Sequence, residues 1–187
     1  RKDRELGVPG EQTPGVLAGP DFVGWYNGAP QFAADSVQIR GDRVVIVGNG
    51  NVALDLARLL LSDAGELART DMADHAIGEF AKAQVREVVL LGRRGPDAAA
   101  FTRPELLTMP AGIDVVVARD EKTEAQLATA EPDSPAELLA TLPLVDADLA
   151  VAPPAGRRLV FAFSRTVSEV FGAEQVTGIE VVGRARR

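Results

Sequence analysis

The chain has 187 residues, of which 46% are hydrophobic and 25% are charged, the ordinary composition of a globular protein. It contains no cysteine and a single histidine, which excludes disulfides, thiolate nucleophiles, cysteine-ligated metal centres and imidazole-rich metal sites. The net charge of −7 argues against a broad nucleic-acid-binding surface, and no apolar run approaches the roughly 18 residues of a membrane span. We therefore expect a cytoplasmic protein without a membrane span or a nucleic-acid partner.

The first part of the chain is rich in glycine and proline, which predicts consecutive turns. Within it, residues 21–28 predict one short aromatic helix, capped by Asp21 and ended by Gly28 and Pro30. We expect residues 1–42 to form a linker that carries this helix. Because the chain does not begin with methionine, we also expect it to be a piece of a longer polypeptide.

The next part predicts a strand, a helix, an insertion and a second strand. The apolar run at residues 43–48 does not alternate with polar residues, which indicates a parallel strand covered on both faces. Residues 51–62 predict a helix, residues 63–84 a polar and partly helical insertion, and residues 87–92 a second buried strand. The apolar face of the first helix is predicted to carry Val52, Leu56, Leu59 and Leu60.

The remainder of the chain continues this alternation. A helix is predicted to start at Thr102, as its cap, with Pro104 in its first turn, and a third strand at residues 113–118. After an acidic, helix-prone stretch, residues 158–165 and 175–182 predict antiparallel strands appended to the sheet. The order of elements predicts one α/β domain over residues 43–187: a Rossmann-like, doubly wound parallel sheet with helices on both faces and an appended antiparallel strand pair.

A glycine-rich turn follows the first strand and has the pattern G-x-G-x-x-A. Gly48 permits a tight turn, Gly50 lets the backbone approach a pyrophosphate, and Ala53 lets the helix pack closely on the strand. The helix that begins near Asn51 would direct its free N–H groups and positive dipole end at the phosphates. The pattern alone is also compatible with a strand–turn–helix that binds nothing.

Two arginines follow the second strand, at the position that selects the dinucleotide. An NAD-specific site carries Asp or Glu there, to bind the ribose 2′-hydroxyl, whereas this chain has Arg93 and Arg94. Guanidinium groups suit a 2′-phosphate, although two arginines could also simply solvate the end of a strand. Gly48 and Arg93 are 45 positions apart, against roughly 20 in a minimal unit, so residues 63–84 must form an insertion.

These motifs, taken together and in order, resemble the NADP-binding domain of the adrenodoxin-reductase-like ferredoxin–NADP reductases. Beyond residue 110 the resemblance is loose. The matching stretches are residues 6–11, 22–28, 48–55, 70–75 and 91–102.

The resemblance implies hydride transfer between NADPH and FAD, followed by electron transfer to a ferredoxin-type carrier. It implies that Asn49, Gly50, Asn51 and Val52 form the pyrophosphate turn and that Arg93 and Arg94 bind the 2′-phosphate. Glu105 is similar to a family carboxylate that helps to position the nucleotide, although an acid in the first turn of a helix is the simpler interpretation. Thr108 stands where the family often has a second glutamate near the nicotinamide.

No second strand and glycine turn for FAD is present in the sequence. By the resemblance, the flavin domain is built from segments on both sides of the NADP domain, with linkers near Arg1 and Arg187. The chain alone is therefore expected to bind NADP without flavin and to be inactive as an oxidoreductase. Two alternatives stay open at this stage: the NADP domain of a glutamate-synthase-like reductase, and a dinucleotide-binding module without catalysis.

Overall fold

The computed structural model of the protein describes residues 5–183, so the two chain ends at which linkers were expected lie outside the described residues. The chain forms two compact units. One consists of segments within Arg1–Gly41, Ser62–Gln84 and Val167–Val182, and the other of segments within Asp42–Leu61, Val85–Thr166 and Gly183–Arg187.

The described residues form seven α-helices, one 3₁₀ turn and seven strands. The helices are α1 (Gly19–Tyr26), α2 (Asn51–Leu61), α3 (Ala64–Leu67), α4 (Asp74–Lys82), α5 (Arg103–Leu107), α6 (Glu121–Ala128) and α7 (Pro135–Ala140), with a single 3₁₀ turn at Pro96–Ala98. The strands are β1 (Arg43–Val47), β2 (Glu87–Leu91), β3 (Ile113–Ala118), β4 (Leu144–Val145), β5 (Arg157–Ala162), β6 (Arg165–Phe171) and β7 (Gly178–Gly183). Within residues 5–183, no helix combines the length and apolar character needed to cross a membrane.

The second unit is built on a five-stranded, all-parallel sheet with the order β1-β2-β5-β3-β4. Every residue of β2 is buried, as are the last four residues of β5, because these two strands have neighbours on both sides. β6 and β7 form a separate two-stranded sheet. The predicted α/β class, a parallel sheet with helices and an additional antiparallel pair, is confirmed.

Two predictions about individual strands are wrong. The segment at residues 158–165 is not an antiparallel addition, because β5 runs parallel between β2 and β3 in the middle of the sheet. The strand that pairs with β7 is β6, which follows immediately. The second concerns burial: β1 was expected to be covered on both faces, but it is an edge strand of the described sheet, its first four residues are only half-buried, and Val47 is 49% exposed.

Helix starts and faces also differ in detail from the predictions. α1 begins at Gly19 with Ala18 at its N-cap, so Asp21 lies in the first turn and is not the cap. Thr102 does occupy the N-cap of α5, but its side chain makes no capping hydrogen bond. Val52 is 59% exposed and is not part of the buried face of α2. That face consists of Ala53, Leu54, Leu56, Ala57, Leu60 and Leu61.

The amino ends of three neighbouring strands meet in a buried ion cluster. Glu87, the first residue of β2, is in register with Arg43 of β1 and Arg158 of β5, and its two carboxylate oxygens accept hydrogen bonds from the Nε atoms of these arginines. Glu87 is fully buried. A carboxylate removed from water is tolerated only when it is paired in this way, so the cluster supports the register of the three strands.

Candidate nucleotide-binding site

The glycine turn links the carboxyl end of β1 to α2. The N–H of Gly48 donates to the carbonyl of Leu91 at 2.9 Å, which closes the turn against the end of β2. Gly48 has a φ of +143°, a conformation that residues with a side chain rarely adopt, and a Cβ built there would meet nothing within 4 Å. The requirement for glycine at this position is therefore conformational, and the space beside it is open.

Gly50 has a different environment from Gly48. Its φ is not in the left-handed region, and a Cβ built on it would lie 3.9 Å from the carbonyl oxygen of Ala100, an ordinary contact. Of the two glycines in the motif, Gly48 thus has the stricter backbone requirement. The sequence pattern by itself did not distinguish them.

The start of α2 presents N–H groups that have no acceptor within the helix itself. The first backbone bond that enters the helix runs from the N–H of Leu54 to the carbonyl of Gly50 at 3.1 Å, so the N–H groups of Asn51, Val52 and Ala53 precede the regular helical pattern. The first turn contains no acidic residue. The positive end of the helix dipole is therefore not compensated by a carboxylate of this turn, which favours an anion there.

A second segment lies beside the glycine turn, which the sequence did not predict. Ala100 forms a parallel bridge with Gly50, and its N–H donates to the carbonyl of Asn49 at 3.2 Å. The N–H of Thr102 donates to Oδ1 of Asn51 at 2.9 Å. Because Oδ1 is thereby occupied as an acceptor, the Nδ2 group of Asn51 is the donor that stays available. These bonds join the turn to the start of α5.

The end of β2 packs closely on the turn. A Cβ built on Gly92 would lie 2.9 Å from Nδ2 of Asn49 and 2.9 Å from Cδ1 of Phe163. Gly92 is therefore needed so that the Asn49 side chain can lie across the end of β2. No sequence motif indicated this contact, because the two residues belong to different strand ends.

The backbone around the two predicted arginines is hydrogen-bonded to a neighbouring segment, whereas their side chains extend into solvent. The carbonyl of Arg94 accepts from the N–H of Ser164 at 3.0 Å, and that of Gly92 from Arg165 at 3.1 Å. Both Arg93 and Arg94 are exposed, and within residues 5–183 neither guanidinium forms a hydrogen bond or an ion pair. Two permanent positive charges thus stand at the end of β2 without a protein partner.

The remaining predicted residue, Glu105, is half-buried in the first turn of α5. Its carbonyl accepts from Oγ1 of Thr108 at 2.7 Å, so Thr108 caps the end of the same short helix. The hydrogen bonds from Ala100 and Thr102 place the start of α5 beside the glycine turn. In β1 and β2, Val47 is in register with Leu91, which brings the glycine turn and the arginine pair to the same edge of the sheet.

A comparison with known protein families finds no match to this chain. Individual curated proteins do match it. NADPH-ferredoxin reductase FprA of Mycobacterium tuberculosis (strain ATCC 25618 / H37Rv) is 42% identical over 189 residues, which cover 98% of this chain and 41% of that protein. The mitochondrial NADPH:adrenodoxin oxidoreductase of Arabidopsis thaliana is 41% identical over 132 residues, which cover 70% of this chain and 27% of that protein.

A solved structure of Mycobacterium tuberculosis FprA in complex with NADPH matches with a TM-score of 0.77 and 41% sequence identity, over 96% of this chain and 40% of that one. The chain spans about two fifths of the length of the first curated relatives it matches. The relationship predicted from the motifs is therefore confirmed: the homologues of this chain are NADPH-ferredoxin and adrenodoxin reductases, and the chain corresponds to one part of them.

Proposed function

We propose that this chain is the NADPH-binding part of a flavin-dependent ferredoxin–NADP reductase. One observation carries the proposal most directly. Arg93 and Arg94, exposed and without a partner among residues 5–183, follow the strand beside a glycine turn that opens a helix free of acidic residues in its first turn. An NAD site would carry an acidic residue at the end of this strand, whereas two guanidiniums suit a 2′-phosphate.

The residues fit an NADP dinucleotide. We propose that Gly48, Asn49, Gly50, Asn51 and Val52 bind the pyrophosphate. The open space beside Gly48, the uncompensated start of α2 and the free Nδ2 of Asn51 support this assignment. We propose that Arg93 and Arg94 bind the 2′-phosphate and that Glu105, adjacent to the turn through α5, helps to position the nucleotide. The bound nicotinamide would supply the hydride, and the residues of this chain would orient it.

The rest of the reaction is proposed for the longer protein. The relatives are named as NADPH-ferredoxin and adrenodoxin reductases and are more than twice as long as the matched region. We propose that FAD binds in a domain built from sequence that this chain lacks, and that a ferredoxin-type carrier accepts the electrons. The chain alone would bind NADP, contain no flavin and show no reductase activity. We further propose a cytoplasmic location.

The division into a linker over residues 1–42 and an NADP-binding domain over residues 43–187 stays a prediction. In the described structure, the helical insertion within Ser62–Gln84 belongs to the same compact unit as α1. All of the proposed nucleotide contacts lie in the other unit.

Calorimetric titration of the chain with NADP and NAD, and with 2′,5′-ADP and 5′-ADP, tests the proposal. We expect the 2′-phosphorylated nucleotide of each pair to bind more tightly by at least about tenfold, the effect of one charge-assisted contact. The control is inorganic phosphate at the same concentration, which should compete only weakly because it cannot occupy the glycine turn and the arginine pair together. Equal affinities within each pair would contradict the assignment to NADP.

A further inference from the structure

A glutamine side chain packs against the residue that follows the arginine pair. Gln126, on α6, contacts Gly95, the residue that follows Arg94. A Cβ built on Gly95 would overlap Oε1 of Gln126 and would lie 2.6 Å from its Cδ. The amide group is thus packed on the Cα atom of Gly95, and a side chain at residue 95 would displace it.

The amide oxygen of this glutamine has no partner. Within residues 5–183, Oε1 of Gln126 is the one buried side-chain nitrogen or oxygen that lacks a hydrogen bond. Most buried polar groups in proteins are paired, and an unpaired acceptor destabilises the folded state. The polar amide at this position therefore needs an explanation other than stability.

The helix that carries Gln126 is firmly placed. The carboxylate of Asp120 caps α6 by accepting from the N–H groups of Lys122 and Thr123, at 3.1 and 3.0 Å. Thr123 and Leu127, which lie four residues apart on one face of the helix, are buried. This buried face fixes α6, the helix from which Gln126 reaches Gly95.

The arginine pair lies between two supports. On one side, the N–H of Ser164 holds the carbonyl of Arg94, and on the other the Gln126 amide lies against Gly95. The backbone of the pair is thus restrained at Arg94 and at the next residue, while both guanidiniums are free. A 2′-phosphate is recognised well only if two guanidiniums meet it in a fixed geometry, because bidentate bonds depend on direction.

We propose that Gln126 is a positioning residue that determines the preference for a 2′-phosphate, by holding the turn from which Arg93 and Arg94 project. The inference rests on the proposed function, since it concerns the same nucleotide. Gln126 acts through the backbone at Gly95 and does not itself contact the ligand. The planar amide lies against Gly95, although its unpaired oxygen destabilises the fold.

The test compares two nucleotides that differ only in the 2′-phosphate. In Gln126→Met, we expect the affinity for 2′,5′-ADP to fall by about tenfold, as when one charge-assisted contact is lost, and that for 5′-ADP to change by less than about twofold. The unfolding temperature should stay the same or rise, because an unpaired buried oxygen has been removed. The matched control is Ala125→Met, which places the same side chain on the exposed face of α6. It should leave both affinities unchanged.

A second variant reaches the same contact from the other side. Gly95 has φ −74° and ψ 176°, which alanine adopts without strain, so Gly95→Ala would act by displacing the Gln126 amide. We expect the same selective loss of 2′,5′-ADP binding. In the double variant the loss should not exceed that of either single variant, because both remove one contact.

Equal losses for the two nucleotides, additive losses in the double variant, or an unchanged ratio in both single variants would overturn the inference. These outcomes are separate from a failure of the proposed function. If the native chain itself does not discriminate between 2′,5′-ADP and 5′-ADP, the assignment to NADP is wrong and this inference falls with it. If the native chain discriminates and Gln126→Met does so equally, only the role of Gln126 is wrong.

Discussion

Two pairs of arginines occupy opposite ends of the same parallel sheet, and their environments differ completely. At the amino ends, Arg43 and Arg158 are 19% and 17% exposed at their side chains and share the fully buried carboxylate of Glu87. At the carboxyl end of β2, Arg93 and Arg94 are exposed and have no acidic partner within residues 5–183. Identical side chains therefore have different environments: the protein supplies the negative charge for the first pair, and we propose that a nucleotide supplies it for the second.

The paired arginines belong to the fold. Arg43 is held further by the carbonyls of Leu149 and Val151, at 2.7 and 2.8 Å from its guanidinium nitrogens. Each guanidinium nitrogen of Arg43 thus has a protein acceptor, and an external anion would have to compete with a carboxylate that is already in place. The unpaired arginines, in contrast, keep all of their donors for an anion. This comparison predicts that the first pair controls stability and the second controls binding.

Removal of Glu87 should have the largest effect. In Glu87→Gln, two arginines lose the charge that balances them at a buried position, and breaking a buried ion cluster in this way costs about 3–5 kcal/mol in the free energy of unfolding. Urea denaturation measures this loss. The folded fraction should still prefer 2′,5′-ADP over 5′-ADP by the native ratio. Asp114→Asn is the control, because Asp114 is exposed although it is in register with Arg158. A similar loss in both variants would contradict a special role for Glu87.

Removal of Arg94 should weaken nucleotide binding and leave stability nearly unchanged, the reverse of what is expected for Glu87. Arg94→Ala deletes a charge-assisted contact worth about 1.5–3 kcal/mol, so the affinity for 2′,5′-ADP should fall by roughly ten- to a hundredfold while that for NAD is little changed. The free energy of unfolding should change by less than about 0.5 kcal/mol, since the side chain has no protein partner. Titration calorimetry and urea denaturation of one preparation give both values. Arg69→Ala removes an exposed arginine of the other unit and serves as the charge control.

A substitution in the glycine turn should have the smallest of the three effects. It should lower both the free energy of unfolding and the affinity for nucleotide. Gly48→Ala forces a side chain into a φ of +143°, at a cost of about 1–2 kcal/mol, and should weaken NADP and NAD alike because the pyrophosphate is common to both. Gly50→Ala is the matched control, since its Cβ would make only an ordinary contact with Ala100. Denaturation and titration of the two variants test this ranking. A larger effect of Gly50→Ala would mean that close approach of the ligand, and not backbone conformation, is the stricter requirement.

The individual strands, turns and helices around the proposed site could be predicted from the sequence. The strand, turn and helix around Gly48, the strand that ends before Arg93, and the boundaries of β3 follow from patterns within a few residues of one another, and the structure has all of them. These patterns are reliable because hydrophobic periodicity and glycine conformation act over short distances along the chain. The two arginines that stand after β2 in place of an acidic residue are an equally local feature, and the prediction of selectivity for a 2′-phosphate rests on them.

The arrangement of these elements in the sheet could not be predicted from the sequence. Residues 158–165 have the composition of a buried strand in either direction, and their central, parallel place between β2 and β3 depends on contacts with residues far away in sequence. Two contacts beside the proposed nucleotide site, that of Asn51 with Thr102 and that of Gly95 with Gln126, also join residues far apart in sequence. Neither contact corresponds to a sequence motif. The physical reason is that packing selects among arrangements of similar local energy, and its contacts join residues that no local pattern connects.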